Sequence, residues 1–128
     1  MIMSKLLEEQ VTSIELCQNL QALGVTRAST FCWSNVDTPY PQLVLRGWSP
    51  ERSGDFLLPT YTTSEHLDVL PNVINGYGVL KLSKALGNND WICSYDNGNV
   101  VPDVYFIDPK LQNALAKLRC YLIADGRI

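Results

Sequence analysis

The 128-residue chain predicts an α+β fold: an antiparallel sheet of about four to five strands with two longer helices and one short helix, in the order α-β-β-α-β-β-β-α. Three observations carry it. Helix-start signals precede leucines at helical spacing at three places, beginning at Thr12, Thr62 and Asp108. The stretches between them alternate apolar and polar residues. Turn formers, such as Gly87-Asn88-Asn89-Asp90 and Asn97-Gly98, separate those stretches.

The first element is a helix over about Ser13 to Leu23. Thr12 and Glu15 stand three apart as a capping box, Val11 and Leu16 form a hydrophobic staple, and Leu16, Leu20 and Leu23 share a stripe that Gly24 ends. From Ser29 to Val36 the pattern becomes strand-like, with Phe31 and Trp33 on one face. The turn residues Asp37 to Pro41 follow, and then a second run, Gln42 to Arg46, which makes an antiparallel hairpin. A polar loop from Gly47 to Asp55 holds Trp48. Phe56 to Tyr61 adds a short strand or irregular segment, with Pro59 pointing to a sheet edge.

Thr62 and Glu65 repeat the capping box ahead of Leu67 and Leu70, and Pro71 stops this short helix. Gly78 to Leu86 fits both periods, because Leu80 and Leu82 suit a strand while Val79, Leu82 and Leu86 suit a helix face; strand is the preferred assignment. Trp91 to Tyr95 is a strand, and Asn97-Gly98 predicts a two-residue type I′ turn into a returning strand. That strand ends near Ile107, and Pro102 places it at an edge. Asp108-Pro109 then opens the strongest helix. Leu111, Leu115, Leu118 and Leu122 line one face, Ala114 and Tyr121 widen it, and Lys110, Asn113 and Lys117 lie mainly opposite.

Composition bounds the function classes. A chain of this length suits a single globular domain over residues 1–128 and buries roughly two thirds of its unfolded surface, enough for a core without staples. Its 46% hydrophobic and 18% charged residues are ordinary for a folded chain. A net charge of −3 with no basic run disfavours direct nucleic-acid binding. No apolar stretch approaches a membrane span, and Lys5, Glu8 and Glu9 interrupt the N-terminal segment, so the expected setting is cytoplasmic, without membrane partners. Cys17, Cys32, Cys93 and Cys120 are far apart and are expected reduced and mostly buried.

No catalytic or metal-binding constellation is written in the chain, and no cofactor is expected. His66 is the single histidine, placed at the border of a helix stripe where a structural role is the expectation. Asp68, two residues on, points elsewhere. No two cysteines have zinc-ligand spacing, Asp96 to Asn99 lacks the closing glutamate of a calcium loop, and Gly76-Tyr77-Gly78 lacks the partners of a phosphate loop. Surface recognition is what remains. Arg46, Trp48 and Arg52 share a loop with the composition of an interface hot spot and are the candidate interaction residues. The leading expectation is therefore a non-catalytic accessory protein acting through protein–protein or self-association. The alternatives are a small enzyme whose carboxylates or Cys120 converge only in the fold, and a weak nucleic-acid module using Lys110, Lys117, Arg119 and Arg127.

Several segments together resemble a group of short uncharacterised proteins. They are Ser13-Ile14-Glu15-Leu16 with Leu20 and Leu23-Gly24-Val25, Phe31-Cys32-Trp33, Tyr61 to Leu67 closing in Leu70-Pro71, and Tyr121-Leu122-Ile123 before Gly126. That group is associated with gut Bacteroides, their phages and mobile elements. The resemblance implies an α+β fold and a cytoplasmic accessory role; it implies no reaction and no site residues.

Overall fold

The computed structural model describes residues 8–36, 38–44, 47–50 and 57–128. Among these described residues, three helices and seven strands follow in the order α1 (Ile14–Ala22), β1 (Phe31–Ser34), β2 (Gln42–Val44), β3 (Leu57–Thr60), α2 (Thr63–Val69), β4 (Val73–Ile74), β5 (Gly78–Lys84), β6 (Trp91–Asp96), β7 (Val104–Asp108) and α3 (Leu111–Ala124). The class is α+β, as the sequence predicts. The strands form two antiparallel sheets rather than the expected one, a three-stranded sheet ordered β2-β1-β3, in which the possible strand before Tyr61 is realised as β3, and a four-stranded sheet ordered β4-β5-β6-β7, in which β4 is an addition. Pro59 sits in β3, an edge strand, where its missing N–H breaks no ladder. Gly78–Lys84 is strand, paired with β6 from Val79 to Lys84.

The helical layer joins the sheets. On α3, Leu115, Leu118 and Leu122 are fully buried against Cys93, Tyr95 and Val104 of the four-stranded sheet; each such leucine contributes about 1.5–3 kcal/mol by leaving water. On α1, Cys17 packs with Val11, Trp33 and Leu58 over the three-stranded sheet. Leu20, Tyr61 and Ala116 form a third cluster between α1 and α3, which closes the seam. Among the described residues no helix is long and apolar enough to cross a membrane, and Cys17, Cys32, Cys93 and Cys120 form no disulfide.

Three local expectations are corrected. Ser13, not Thr12, is the N-cap of α1, and it makes no side-chain cap bond; the Thr12 hydroxyl is drawn into the core, and the Ser13 N–H is satisfied by Asn113 Oδ1 at 2.9 Å from α3. The same bond explains why Asn113 is buried rather than solvent-facing. The β6–β7 connection runs over residues 97–103 instead of a two-residue turn, since the pairing ends at Tyr95↔Val104. Gly98 takes a positive φ, but Asn97 does not, as a type I′ turn demands. The α2 capping box forms as expected, with Thr62 Oγ1 accepting from the Glu65 N–H and Glu65 Oε1 from the Thr62 N–H. At the start of β5, Gly78 has φ +106° and packs against the Asp96 carbonyl so closely that a Cβ would collide with it.

Candidate functional site

His66, Arg119 and Cys17 gather around Thr12, with Thr60 and Tyr61. From α3, Arg119 Nη1 lies 3.0 Å from His66 Nδ1, and His66 Nε2 lies 2.6 Å from Thr12 Oγ1. A guanidinium only donates, so Nδ1 is the acceptor and His66 is neutral with its proton on Nε2. That proton is donated to Thr12 Oγ1, which donates in turn to the Tyr61 carbonyl at 2.8 Å. The Thr12 carbonyl accepts from Thr60 Oγ1 at 2.7 Å, Trp33 Nε1 at 3.2 Å and Cys17 Sγ at 3.5 Å. The Arg119 guanidinium also lies over the Tyr61 ring, 5.2 Å from its centroid.

This cluster holds α1, α2, α3 and the three-stranded sheet together, and it is closed to chemistry. Burial, then the neighbouring Arg119 charge, drives the His66 pKa from 6.5 down to about 3. Burial likewise pushes the Cys17 thiol and the Tyr61 phenol up to about 12. At neutral pH the imidazole, thiol and phenol are therefore uncharged. His66 is 0% exposed, so no substrate atom reaches the imidazole without unfolding its surroundings. Arg119 Nε is buried without a partner. Among the described residues, no group of three His, Cys, Asp or Glu side chains converges as a metal site.

A different feature opens to solvent. Between α1 and α3 runs a groove of about 560 Å³, lined by Leu16, Ala22 and Leu23 on one side and Cys120, Tyr121 and Ala124 on the other, with Phe106 of β7 at one end. Its lining is almost wholly apolar. The Phe106 and Tyr121 rings stand 5.7 Å apart at 53°, a tilted aromatic pair that shapes the wall. Lys117 marks the rim, where Nζ is 2.9 Å from Asp108 Oδ2 and 3.1 Å from the Ile107 carbonyl. Burial raises the Cys120 thiol above its ordinary pKa, so at neutral pH it lines the groove as a small apolar group.

The sequence-derived candidates lie elsewhere. Trp48 is buried, 5% exposed, and its backbone exchanges hydrogen bonds with Ser29 at 2.9 and 3.0 Å; a partner at this loop would meet its neighbours rather than the indole. Arg46 and Arg52 lie outside the described residues. The basic set expected on the last helix is not assembled: Arg119 is buried on His66, Lys110 Nζ donates to the Glu8 carbonyl, Lys117 pairs with Asp108, and Arg127 lies over the Tyr77 ring. The groove did leave a signal in the sequence, because Cys120 and Tyr121 extend the apolar arc of the last helix past its leucine stripe. What sequence could not supply was the helix facing them. No protein-family model, curated protein or solved structure matches this chain.

Proposed function

We propose that the protein acts as a non-catalytic association module whose groove between α1 and α3 receives the apolar side chains of an amphipathic helix from a partner protein. The observation that carries this is an apolar furrow between two packed helices, with Leu23 and Tyr121 left about two-fifths exposed at its walls. A third helix laid along such a furrow places residues at i, i+3 or i+4, and i+7 into it, removing that surface from water. The closed polar cluster supports the non-catalytic half of the reading, since its imidazole, thiol and phenol are uncharged and buried. The cytoplasmic setting, which the charged N-terminal segment also favours, and the gut Bacteroides, phage or mobile-element habitat, which rests on the sequence resemblance alone, belong to this proposal.

The test uses a panel of labelled amphipathic helical peptides and two variants at exposed wall positions, Ala22→Glu and Tyr121→Glu, whose circular dichroism should match the parent. The expected result is peptide binding by the parent and at least a tenfold loss in both variants, about 1.4 kcal/mol or more. A parent that binds no member of the panel, or variants that bind as the parent does, would sink the proposal.

A further inference from the structure

One face of the four-stranded sheet packs under α3, and the chain's own 97–103 connection stands over part of the other. Side chains alternate between those faces along a strand, so Cys93 and Tyr95 of β6 enter the core and Ser94 between them points outward. Ser94 is nevertheless only 3% exposed. It stands opposite Lys81 on one neighbouring strand and Tyr105 on the other, and it lines a cleft of about 280 Å³. Ser83, Ile92 and Ser94 form the floor, and Asn99, Val100 and Pro102 of the connection form the outer wall. That wall is braced from within its own loop. Asp96 Oδ1 accepts from the Gly98 N–H at 2.8 Å, Asn97 Oδ1 accepts from the Asn99 N–H at 3.1 Å, and Asn97 Nδ2 donates to Asp103 Oδ2 at 3.2 Å.

We propose that this cleft binds a small uncharged polyol, a single sugar-sized ring bearing several hydroxyls. The polar groups that face it select that chemistry. Lys81 and Asp96 also line it, but they pair with each other at 3.5 Å, so the cleft presents no net charge to a ligand. The Ser83 and Ser94 hydroxyls and the Asn99 side-chain amide have no hydrogen-bond partner among the described residues. Each of these groups both donates and accepts, as a ligand hydroxyl does, and a polyol satisfies all three. An apolar ligand would leave the Ser94 hydroxyl buried and unpaired, an arrangement that folded proteins avoid. Ile92, Val100 and Pro102 supply apolar surface for the C–H faces of such a ring. Size points the same way, because the volume lies just below the usual range for drug-sized ligands. The braced loop keeps the cleft formed before the ligand arrives, which lowers the ordering cost of binding.

This inference is independent of the groove, which lies between α1 and α3. Amide chemical-shift titration of the intact protein tests it, with glucose, galactose and myo-inositol as probes and with glucuronate and cyclohexanol as charged and apolar controls. At least one polyol should shift the amides of Ser83, Ser94 and Asn99 at millimolar concentration, and both controls should bind at least tenfold more weakly. Ser94→Ala should weaken polyol binding at least tenfold while circular dichroism stays parental. Asn99→Ala, in the exposed loop, serves the same purpose should Ser94→Ala fail to fold. Tyr121→Glu, in the groove, should bind the polyol as the parent does. The proposal is overturned if no polyol moves those amides, which would make the cleft a site for water only. It is overturned equally by a control that binds as tightly as the polyols, by parental binding in both alanine variants, or by binding lost in Tyr121→Glu.

Discussion

His66 shows how much one position depends on its neighbours. Its immediate sequence offers a solvent-facing partner two residues away and nothing else, yet in the fold it sits between Arg119 and Thr12 with no exposure. The consequence is a pH dependence of definite sign. The folded-state pKa of about 3 is below the unfolded value of 6.5, so between these limits the unfolded chain binds the additional proton. Stability contributed by neutral His66 is therefore complete above pH 6.5 and is lost as pH falls through the window toward 3, at up to about 1.4 kcal/mol per unit. Arg119 on α3, whose charge faces the ring, is part of that shift and widens the window without adding to the slope. Asp96 and Asp125, held below their usual 3.8 by the Gly98 N–H and by Tyr77, act in the same direction only near and below that value. Urea unfolding across that pH window should show the slope, and His66→Gln, which does not titrate, should flatten it. A slope unchanged in that variant would mean His66 is not the group responsible.

At the level of single elements, the two capping sequences behave differently although they read alike. Thr62-Thr63-Ser64-Glu65 forms its box because both side chains are free to turn onto the first helical N–H groups. Thr12-Ser13-Ile14-Glu15 does not, because Thr12 is held by Tyr61 and His66, and Asn113 takes over the exposed helix end. Thr62→Ala should therefore cost about 1 kcal/mol in chemical denaturation, the usual worth of an N-cap. Ser13→Ala should cost no more than a few tenths, since no side-chain bond is lost there. Equal costs would contradict the assigned caps. Periodicity left β5 open between strand and helix, with strand preferred, and it placed the leucine stripe of α3, where Leu115, Leu118 and Leu122 are buried. The 97–103 connection escaped it, because a favoured turn dipeptide states what a tight turn would use and not whether the strands close tightly enough to need one.

For the molecule as a whole, the seam of Leu20, Tyr61 and Ala116 makes two sheets one cooperative unit. Leu20→Ala should destabilise by about 2–5 kcal/mol, the usual range for a fully buried leucine. The three tryptophans lie on opposite sides of that seam, Trp33 in β1 and Trp91 in β6, with Trp48 bridged to Ser29. Fluorescence and far-ultraviolet circular dichroism should thus report one coincident transition in the parent. Transitions that separate in the parent would show the sheets unfolding independently and remove the seam's assigned role. The proposed groove is a property of this assembly, since α1 and α3, which make it, are distant in the chain.

By itself the sequence determined the class, the three helices, the β6 strand, the edge placement of Pro59, and the mostly buried character of the cysteines, and it favoured strand over helix for β5. All of these follow from local period, backbone chemistry and composition. Only the tertiary structure decided that the strands divide into two sheets, that Arg119 and Asn113 turn inward, and that apolar residues of α1 and α3 are left facing a groove. The physical reason is the same in each case. A side chain's propensity is set by its own chemistry, whereas its solvation is set by whichever distant element packs beside it, and pairing, burial and pKa all follow solvation.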